Sequence, residues 1–222
     1  MSRYLLINLL TVLFPVILSF EKKISFYKKF KYLLFSILTV SPFYLVWDAV
    51  ATSRGDWGFS PEYLIGIYIF GLPLEEVLFF ITVPYSCIFI YETVKLYIPE
   101  KKLPFDKNYY YLAGAILIAV AGFFSSQYYT STVMVFSAIF LFLAATFKPA
   151  ILASRVYWIS IGITFVPFLV VNYFLTAPPI VWYSPEAIWG ARFITIPLED
   201  FFYSFSMISF WFFFYLLYKR DI

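Results

Sequence analysis

Two short acidic motifs are the residues of this chain most able to carry chemistry. Residues 73–76 read Pro-Leu-Glu-Glu, and residues 197–200, at an offset of 124, read Pro-Leu-Glu-Asp. Proline suits the first turn of a helix, where its missing N–H is not needed, so both acid pairs are predicted in the first turn of an apolar helix. Acids also favour helix N-termini for electrostatic reasons alone. Two copies at one offset nevertheless favour a function, because carboxylates within a membrane are costly and usually functional.

A fifth acid, Asp48, is predicted to join these four. It follows the run of residues 44–47 and falls at a similar depth. Five carboxyl groups in one apolar site cannot all ionise, because desolvation and like-charge repulsion oppose it. Protonated acids beside ionised ones suit acid–base chemistry on an apolar substrate. The candidate acid/base residues are therefore Asp48, Glu75, Glu76, Glu199 and Asp200, with the acid and the base not yet distinguished.

Aromatic residues make up 25% of the chain, more than two interfacial belts require. Their ring faces stabilise cations, which gives the excess aromatics a use beside the acids. Arg192 follows Trp189 and is a candidate ion-pair partner for one of the acids. The side chains predicted to contact a substrate are Trp47, Phe79, Phe80, Asn172, Arg192 and Tyr203.

The composition is that of a polytopic helical membrane protein. Hydrophobic residues are 63% and charged residues 13% of the chain, against about 45–50% and 25% in soluble domains, and the mean hydropathy is +0.84. The 222 residues include no histidine, which excludes His-ligated di-iron and zinc sites and Ser–His proteases. The single cysteine, Cys87, allows no internal disulfide, and no metal site is expected.

Seven membrane spans are predicted, near residues 4–20, 31–51, 73–97, 109–125, 131–147, 154–175 and 196–218. The first precedes Glu21-Lys22-Lys23 rather than a small-residue cleavage site, so it is expected to be a retained helix. Loops on one side hold 13 of the 16 basic residues, and the other side holds Arg3, Arg54 and Arg192. The positive-inside rule then predicts a cell-membrane protein with its N-terminus outside and its C-terminus in the cytoplasm.

The chain carries an internal repeat at the offset of the acidic motifs. Residues 60–80 and 184–204 are identical at 7 of 21 positions, and Asp48 corresponds to Asn172. Spans 1–3 are therefore predicted to repeat as spans 5–7 in the same orientation, about a pseudo-two-fold axis along the membrane normal. Residues 63–72, too short to cross, are expected at the outer interface. The predicted units are a first repeat (1–98), a linker with one span (99–127) and a second repeat (128–222).

At these residues the chain resembles the heterodimer-type lycopene cyclases, in their fused form. The doubled Pro-Leu-Glu-Glu/Asp motif, the aromatic residues after each copy and three spans per copy carry the resemblance. It implies cyclisation of the linear ends of lycopene to ionone rings, giving γ- and then β-carotene, without net redox change and without a cofactor. The implied partners are lycopene, other carotenoids and the bilayer, with association with other carotenoid enzymes left open and no nucleic acid expected.

Three other classes compete with this interpretation. A retinal-binding photoreceptor would need a lysine inside the last span, and residues 196–218 contain none. A transporter with buried carboxylates would spread its polar residues along a path, whereas these fall at one depth. A magnesium-dependent prenyl diphosphate enzyme would need basic residues beside its carboxylates, and that side offers Arg54 and Arg192.

Overall fold

The computed structural model describes residues 2–220, which form eight α-helices and three two-stranded antiparallel sheets. The helices are α1 (Arg3–Leu18), α2 (Phe30–Arg54), α3 (Leu74–Tyr97), α4 (Lys107–Phe123), α5 (Tyr128–Phe147), α6 (Pro149–Leu152), α7 (Arg155–Thr176) and α8 (Glu199–Lys219). Short 3₁₀ helices lie at Phe26–Lys29 and Pro61–Tyr63. The outer limits of the predicted repeats, residues 1 and 221–222, fall outside the described part.

Five helices are long and apolar enough to cross a membrane: α2, α3, α5, α7 and α8. They coincide within a few residues with five of the predicted spans. The helices α1 and α4 have 16 and 17 residues, or about 24–26 Å at 1.5 Å per residue. That is a few ångströms short of a hydrocarbon core of about 30 Å, so crossing by these two helices stays a prediction.

The helices α1, α2 and α3 form one group, and α5, α7 and α8 form a second group that packs against it. The helix α2 packs on α8, α7 packs on α3, and α1 and α5 lie against α3 and α8 respectively. Small polar side chains join the helices, as is common in membranes. Ser36 donates to the carbonyl of Trp211 at 2.7 Å, and Tyr44 donates to Ser206 at 2.9 Å. The helices α3 and α8 therefore lie at the centre, and their first turns carry the acidic motifs.

A small sheet covers the N-terminal ends of α3 and α8. Strand β1 (Trp57–Phe59) pairs with β4 (Val181–Tyr183), and Gly58 lies opposite Trp182. At the offset of 124, Gly58 and Trp182 are equivalent residues, so the sheet joins matching segments of the two repeats. A β-carbon on Gly58 would lie 2.3 Å from the Trp182 ring, which explains the glycine.

Two hairpins precede the acidic helices. Strands β2 (Tyr68–Ile69) and β3 (Leu72–Pro73) form one, and β5 (Arg192–Phe193) and β6 (Ile196–Pro197) form its counterpart. Their turns expose the equivalent residues Phe70 and Ile194, which both have positive φ. The segment 63–72, expected at the outer interface, is thus part of a folded hairpin whose apolar turn suits contact with lipid.

A buried ionic cluster joins α3, α8 and the 3₁₀ helix at Phe26–Lys29. It lies near the C-terminal ends of α3 and α8, remote from the acidic motifs. Glu92 of α3 accepts from Tyr215 at 2.7 Å and from Lys219 at 2.8 Å, both on α8, and it also binds Lys29. The Glu92 side chain is 1% exposed. Lys29, Tyr215 and Lys219 are all distant from Glu92 in sequence, so the cluster ties separate segments together.

Replacing Glu92 should destabilise the fold. The change Glu92→Ala leaves Lys29 and Lys219 partly buried without their carboxylate, and losing one partner of a buried ion pair costs about 3–5 kcal/mol, reduced here by the partial exposure of both lysines. Thermal unfolding in detergent should show a lower midpoint than wild type. The exposed Glu62, changed to Ala, is the control. Equal midpoints for the two variants would contradict this role.

Candidate active site

Three of the predicted acids surround one small cavity beneath the β1–β4 sheet. Asp48 of α2, Glu76 of α3 and Asp200 of α8 line this space of about 60 Å³, here called the carboxylate cavity. All three residues are at least 92% buried, with relative exposures of 3%, 8% and 3%. Its other lining residues are aromatic, aliphatic or amide: Tyr4, Trp57, Phe59, Phe79, Tyr129, Asn172, Leu175, Val181, Tyr183 and Tyr203. The cavity therefore holds three acids and no basic side chain among the described residues.

Two phenols hold the Asp200 carboxyl group. Tyr129 of α5 donates to one oxygen at 2.5 Å, and Tyr183 of β4 donates to the other at 3.0 Å. Burial and the neighbouring Asp200 charge raise the pKa of Tyr183 well above its ordinary value, so this phenol keeps its proton. With both oxygens accepting from neutral donors, the surroundings of Asp200 suit an ionised carboxylate.

The other two cavity acids form a close pair whose donors are placed differently. Glu76 accepts from Tyr4 of α1, and one oxygen of Asp48 accepts both from the Trp57 indole at 2.7 Å and from the Thr52 hydroxyl at 3.4 Å. The second oxygen of Asp48 is buried without a hydrogen-bond partner within residues 2–220. Asp48 and Glu76 lie near enough for their charges to interact. Two such groups cannot both ionise without repulsion, so the pair suits a shared proton.

Glu75 and Glu199 lie outside the carboxylate cavity and support it. Glu75 accepts from the Ile65 backbone N–H at 2.7 Å and from the Ser2 hydroxyl at 2.6 Å. At the equivalent position, Glu199 accepts from the Trp189 backbone N–H and from the Thr130 hydroxyl. Each acid thus ties the segment before a hairpin to the first turn of its helix. The five acids predicted as one set separate into three at the cavity and two in the scaffold.

The residues predicted to contact substrate also divide. Phe79, Asn172 and Tyr203 line the carboxylate cavity. Phe80 is fully buried between helices and Trp47 stacks on Phe136 at 4.9 Å, so neither lines it. Arg192 is exposed, donates to the Thr195 carbonyl at 2.7 Å and has no carboxylate partner within the described chain. It contacts the site indirectly, with its guanidinium 5.8 Å from the Tyr183 ring centroid.

Four hydrogen-bond donors of the cavity escaped the sequence analysis as site residues: Tyr4, Trp57, Tyr129 and Tyr183. One signal was available, since residues 2–4 read Ser-Arg-Tyr and residues 126–128 read Ser-Gln-Tyr at the offset of 124. It points to the starts of α1 and α5 as parts of the repeat. The donor in the second half is nevertheless Tyr129, one residue further on, and spacing alone does not select it.

An apolar groove opens beside the carboxylate cavity. It encloses about 280 Å³ between α1, α3, α7 and α8, and Phe79 and Asn172 line both spaces. Apart from a few hydroxyl groups and the Asn172 amide, its walls are aliphatic, aromatic or sulfur-containing. The arrangement is a small acidic cavity beside an apolar groove, with Phe79 and Asn172 lining both.

Comparison with known proteins identifies one family. A family model described as lycopene cyclase matches residues 2–94 and again residues 126–218. The chain belongs to the lycopene cyclase family. The second match begins 124 residues after the first, which is the spacing of the acidic motifs. Searches of the curated proteins and of the solved structures give no match. Membership in the lycopene cyclase family supports a carotenoid cyclase role, and hence an enzyme, in a chain with five membrane-length helices.

Removing the Tyr129 hydroxyl should reduce cyclase activity. The change Tyr129→Phe keeps the ring, which stacks on Tyr183, but removes the donor to Asp200. A hydrogen bond to a charged group is worth about 1.5–3 kcal/mol, so the turnover rate of the folded variant should fall about 10- to 100-fold. Because the lost bond also lowers stability, the unfolding midpoint is measured and turnover is compared at a temperature at which both proteins are folded. Tyr173→Phe, at an exposed position on α7, is the matched control. Full activity in Tyr129→Phe would contradict the importance of this donor.

Proposed function

We propose that the protein is a lycopene β-cyclase that converts the linear end groups of lycopene to ionone rings by acid–base catalysis. The observation that carries the proposal is the trio of buried carboxyl groups around a small aromatic-walled cavity, in a chain of the lycopene cyclase family. Lycopene is a hydrocarbon without metal-binding groups, and its cyclisation involves no reduction. The reaction needs a proton donor, a proton acceptor and a cavity that excludes water. The products would be γ-carotene and then β-carotene.

The reaction adds one proton and releases one for each ring. An acid protonates C2 of the terminal double bond, which leaves a cation at C1. The C5=C6 double bond attacks C1, closing the ring and moving the cation to C5. A carboxylate then removes the proton from C6, restoring the C5=C6 double bond in the β ring. No electrons are gained or lost, so the proposed mechanism requires no electron carrier.

The hydrogen bonds support a division of labour among the acids. Asp200 accepts from two phenols, which favours its ionised form and the role of base. The Asp48–Glu76 pair has like-charge repulsion and an unpaired oxygen, which favours a retained proton and the role of acid. Glu75 and Glu199, predicted as catalytic from the sequence, are assigned here to positioning.

The aromatic walls supply electrostatic support for the cation. Phe79, Trp57, Tyr129 and Tyr203 line the cavity, and ring faces attract cations by about 0.5–2 kcal/mol each, most strongly where water is excluded. Phenol and indole oxygens and nitrogens are already bonded to carboxyl groups or buried among rings.

The membrane arrangement proposed with this function has seven crossings and two parallel repeats. The helices α1 and α4 pack along the long helices α3 and α5, and α1 exposes Leu9, Leu13 and Phe14, a surface suited to lipid. The 13-to-3 division of basic residues supports an external N-terminus and a cytoplasmic C-terminus. The symmetric pairing of β1 with β4 supports repeats at 1–98 and 128–222 with a linker between them.

The proposed function can be tested in cells that already make lycopene. Expression of the chain there should give cyclic carotenoids, read by chromatography of the extracted pigments. In heavy water, each new ring should carry one deuterium at C2, because the catalytic acid exchanges with solvent. Unchanged lycopene would overturn the function, and cyclic product without deuterium would replace the acid by an internal hydrogen shift.

Neighbouring acids within each motif should differ in their effect on activity. Glu76→Gln and Asp200→Asn should each reduce turnover at least about 10²-fold, the lower range for acid–base catalysis. Glu75→Gln keeps an acceptor oxygen for the Ile65 N–H and should lose less than about 10-fold, and Glu199→Gln likewise. Turnover of purified variants in lipid provides the measurement. Equal losses within each motif would return Glu75 and Glu199 to the catalytic set.

A further inference from the structure

The apolar groove lies on one side of the molecule, between α1, α3, α7 and α8. The offset of 124 maps this side onto a counterpart between α5, α8, α2 and α3. Because the family model matches both halves at that offset, each groove residue has an equivalent in the counterpart. A duplicated site would be expected to provide two such grooves.

The counterpart carries larger side chains than the groove at four equivalent positions. At the offset of 124, Val171 and Cys87 of the groove correspond to Trp47 and Trp211. Ser86 and Ser204 correspond to Phe210 and Phe80 in the same way. All four differences run from a small residue in the groove to an aromatic one in the counterpart.

Aromatic residues of the counterpart pack on one another or are buried. Trp47 stacks on Phe136 at 4.9 Å between ring centroids and contacts Tyr203 at 5.2 Å. Tyr44 lies edge-on to Phe136 at 5.1 Å. Trp211 and Phe80 are fully buried. Because protein interiors are close-packed, side chains of this size fill volume that the smaller groove residues leave free.

The contents of the groove indicate what it binds. It is apolar, and it meets the carboxylate cavity at Phe79 and Asn172. A ligand with a long hydrocarbon chain and a reactive apolar end would match both parts, whereas a diphosphate or a polar solute would find no basic side chain among the lining residues.

We infer that one linear polyene chain binds in the apolar groove, with its terminal isoprenoid unit in the carboxylate cavity, and that the aromatic packing around Trp47 and Trp211 makes this the single polyene channel of the duplicated fold. The inference rests on the proposed function for the identity of the polyene. Each binding event then presents one end to the acids, and a second ring requires the chain to leave and return in the opposite direction. Val171, Cys87, Ser86 and Ser204 are thus the residues that keep the channel open.

Copying the closed side onto the open side tests the inference. Val171→Trp installs the residue found at Trp47, and Ser204→Phe installs the one found at Phe80. The matched control is Val170→Trp, the same substitution one residue earlier, at a side chain 54% exposed on the outside of α7. Each variant is made in a Glu76→Gln background to suppress turnover, and its unfolding midpoint is checked in detergent, so that Ser204→Phe serves if Val171→Trp does not fold.

Lycopene binding is measured in lipid nanodiscs by induced circular dichroism, which an achiral polyene acquires in a chiral site. The Glu76→Gln protein and its Val170→Trp derivative should give a saturable signal, and the groove variants should bind at least about 10-fold more weakly. Equal binding in Val171→Trp and Val170→Trp, or no signal in any protein, would overturn the inference and leave the groove to lipid acyl chains.

Two further proteins, wild type and a Val171→Trp variant that keeps Glu76, separate this inference from the proposed function. Wild-type protein incubated with lycopene reports ring formation independently of binding. Binding lost in Val171→Trp but no ring formed by wild type would support the channel and overturn the cyclase function. Ring formation at the wild-type rate by a folded Val171→Trp protein would support the function and overturn the channel.

Discussion

The need to keep three like-charged acids in an apolar cavity constrains the rest of this structure. A buried carboxylate without partners is strongly disfavoured, and within residues 2–220 no basic side chain lines the cavity. The partners are instead neutral donors from other elements: Tyr4 from α1, Trp57 from β1, Tyr129 from α5 and Tyr183 from β4. A cation would hold all three acids ionised, whereas phenol and indole donors stabilise charge while leaving room for a proton. Acid–base chemistry needs that balance.

The β1–β4 sheet connects this electrostatic requirement to the duplication. Its two strands are equivalent segments paired about Gly58 and Trp182, yet the donors they carry are not equivalent. Trp57 corresponds to Val181, and Tyr183 corresponds to Phe59 at the offset of 124. One symmetric scaffold therefore delivers an indole to Asp48 and a phenol to Asp200. The sheet closes the site and also makes its two acids chemically different.

The repeat, the helices and the acidic motifs could be predicted from the sequence, because each leaves a local signal in residue type and spacing. The separation of Glu76 from Glu75, and of Asp200 from Glu199, could not. Adjacent residues on a helix point about 100° apart, so one of each pair must face the cavity, but the rotation of the helix is set by packing. The donors were hidden for a related reason, since Tyr4 and Tyr129 lie 72 and 71 residues from their carboxyl partners. Trp47 was expected to contact substrate because it is aromatic, but it packs on the rings of Phe136 and Tyr203.

The unequal acids and the unequal grooves have a common physical origin. Asp48 and Trp47 lie on the closed side, and their equivalents Asn172 and Val171 lie at the groove. A carboxylate at position 172 would stand where a hydrocarbon chain passes from the groove into the cavity, and an ion against hydrocarbon is far costlier than an amide. Asn172 satisfies its own donor on the Phe168 carbonyl at 3.1 Å, so it presents little unpaired polarity to a chain. No hydrocarbon chain passes on the closed side, so a third acid, Asp48, can be kept there beside Glu76. Duplication thus supplied two copies of one acidic helix start, and their divergence assigned proton storage to one side and substrate passage to the other.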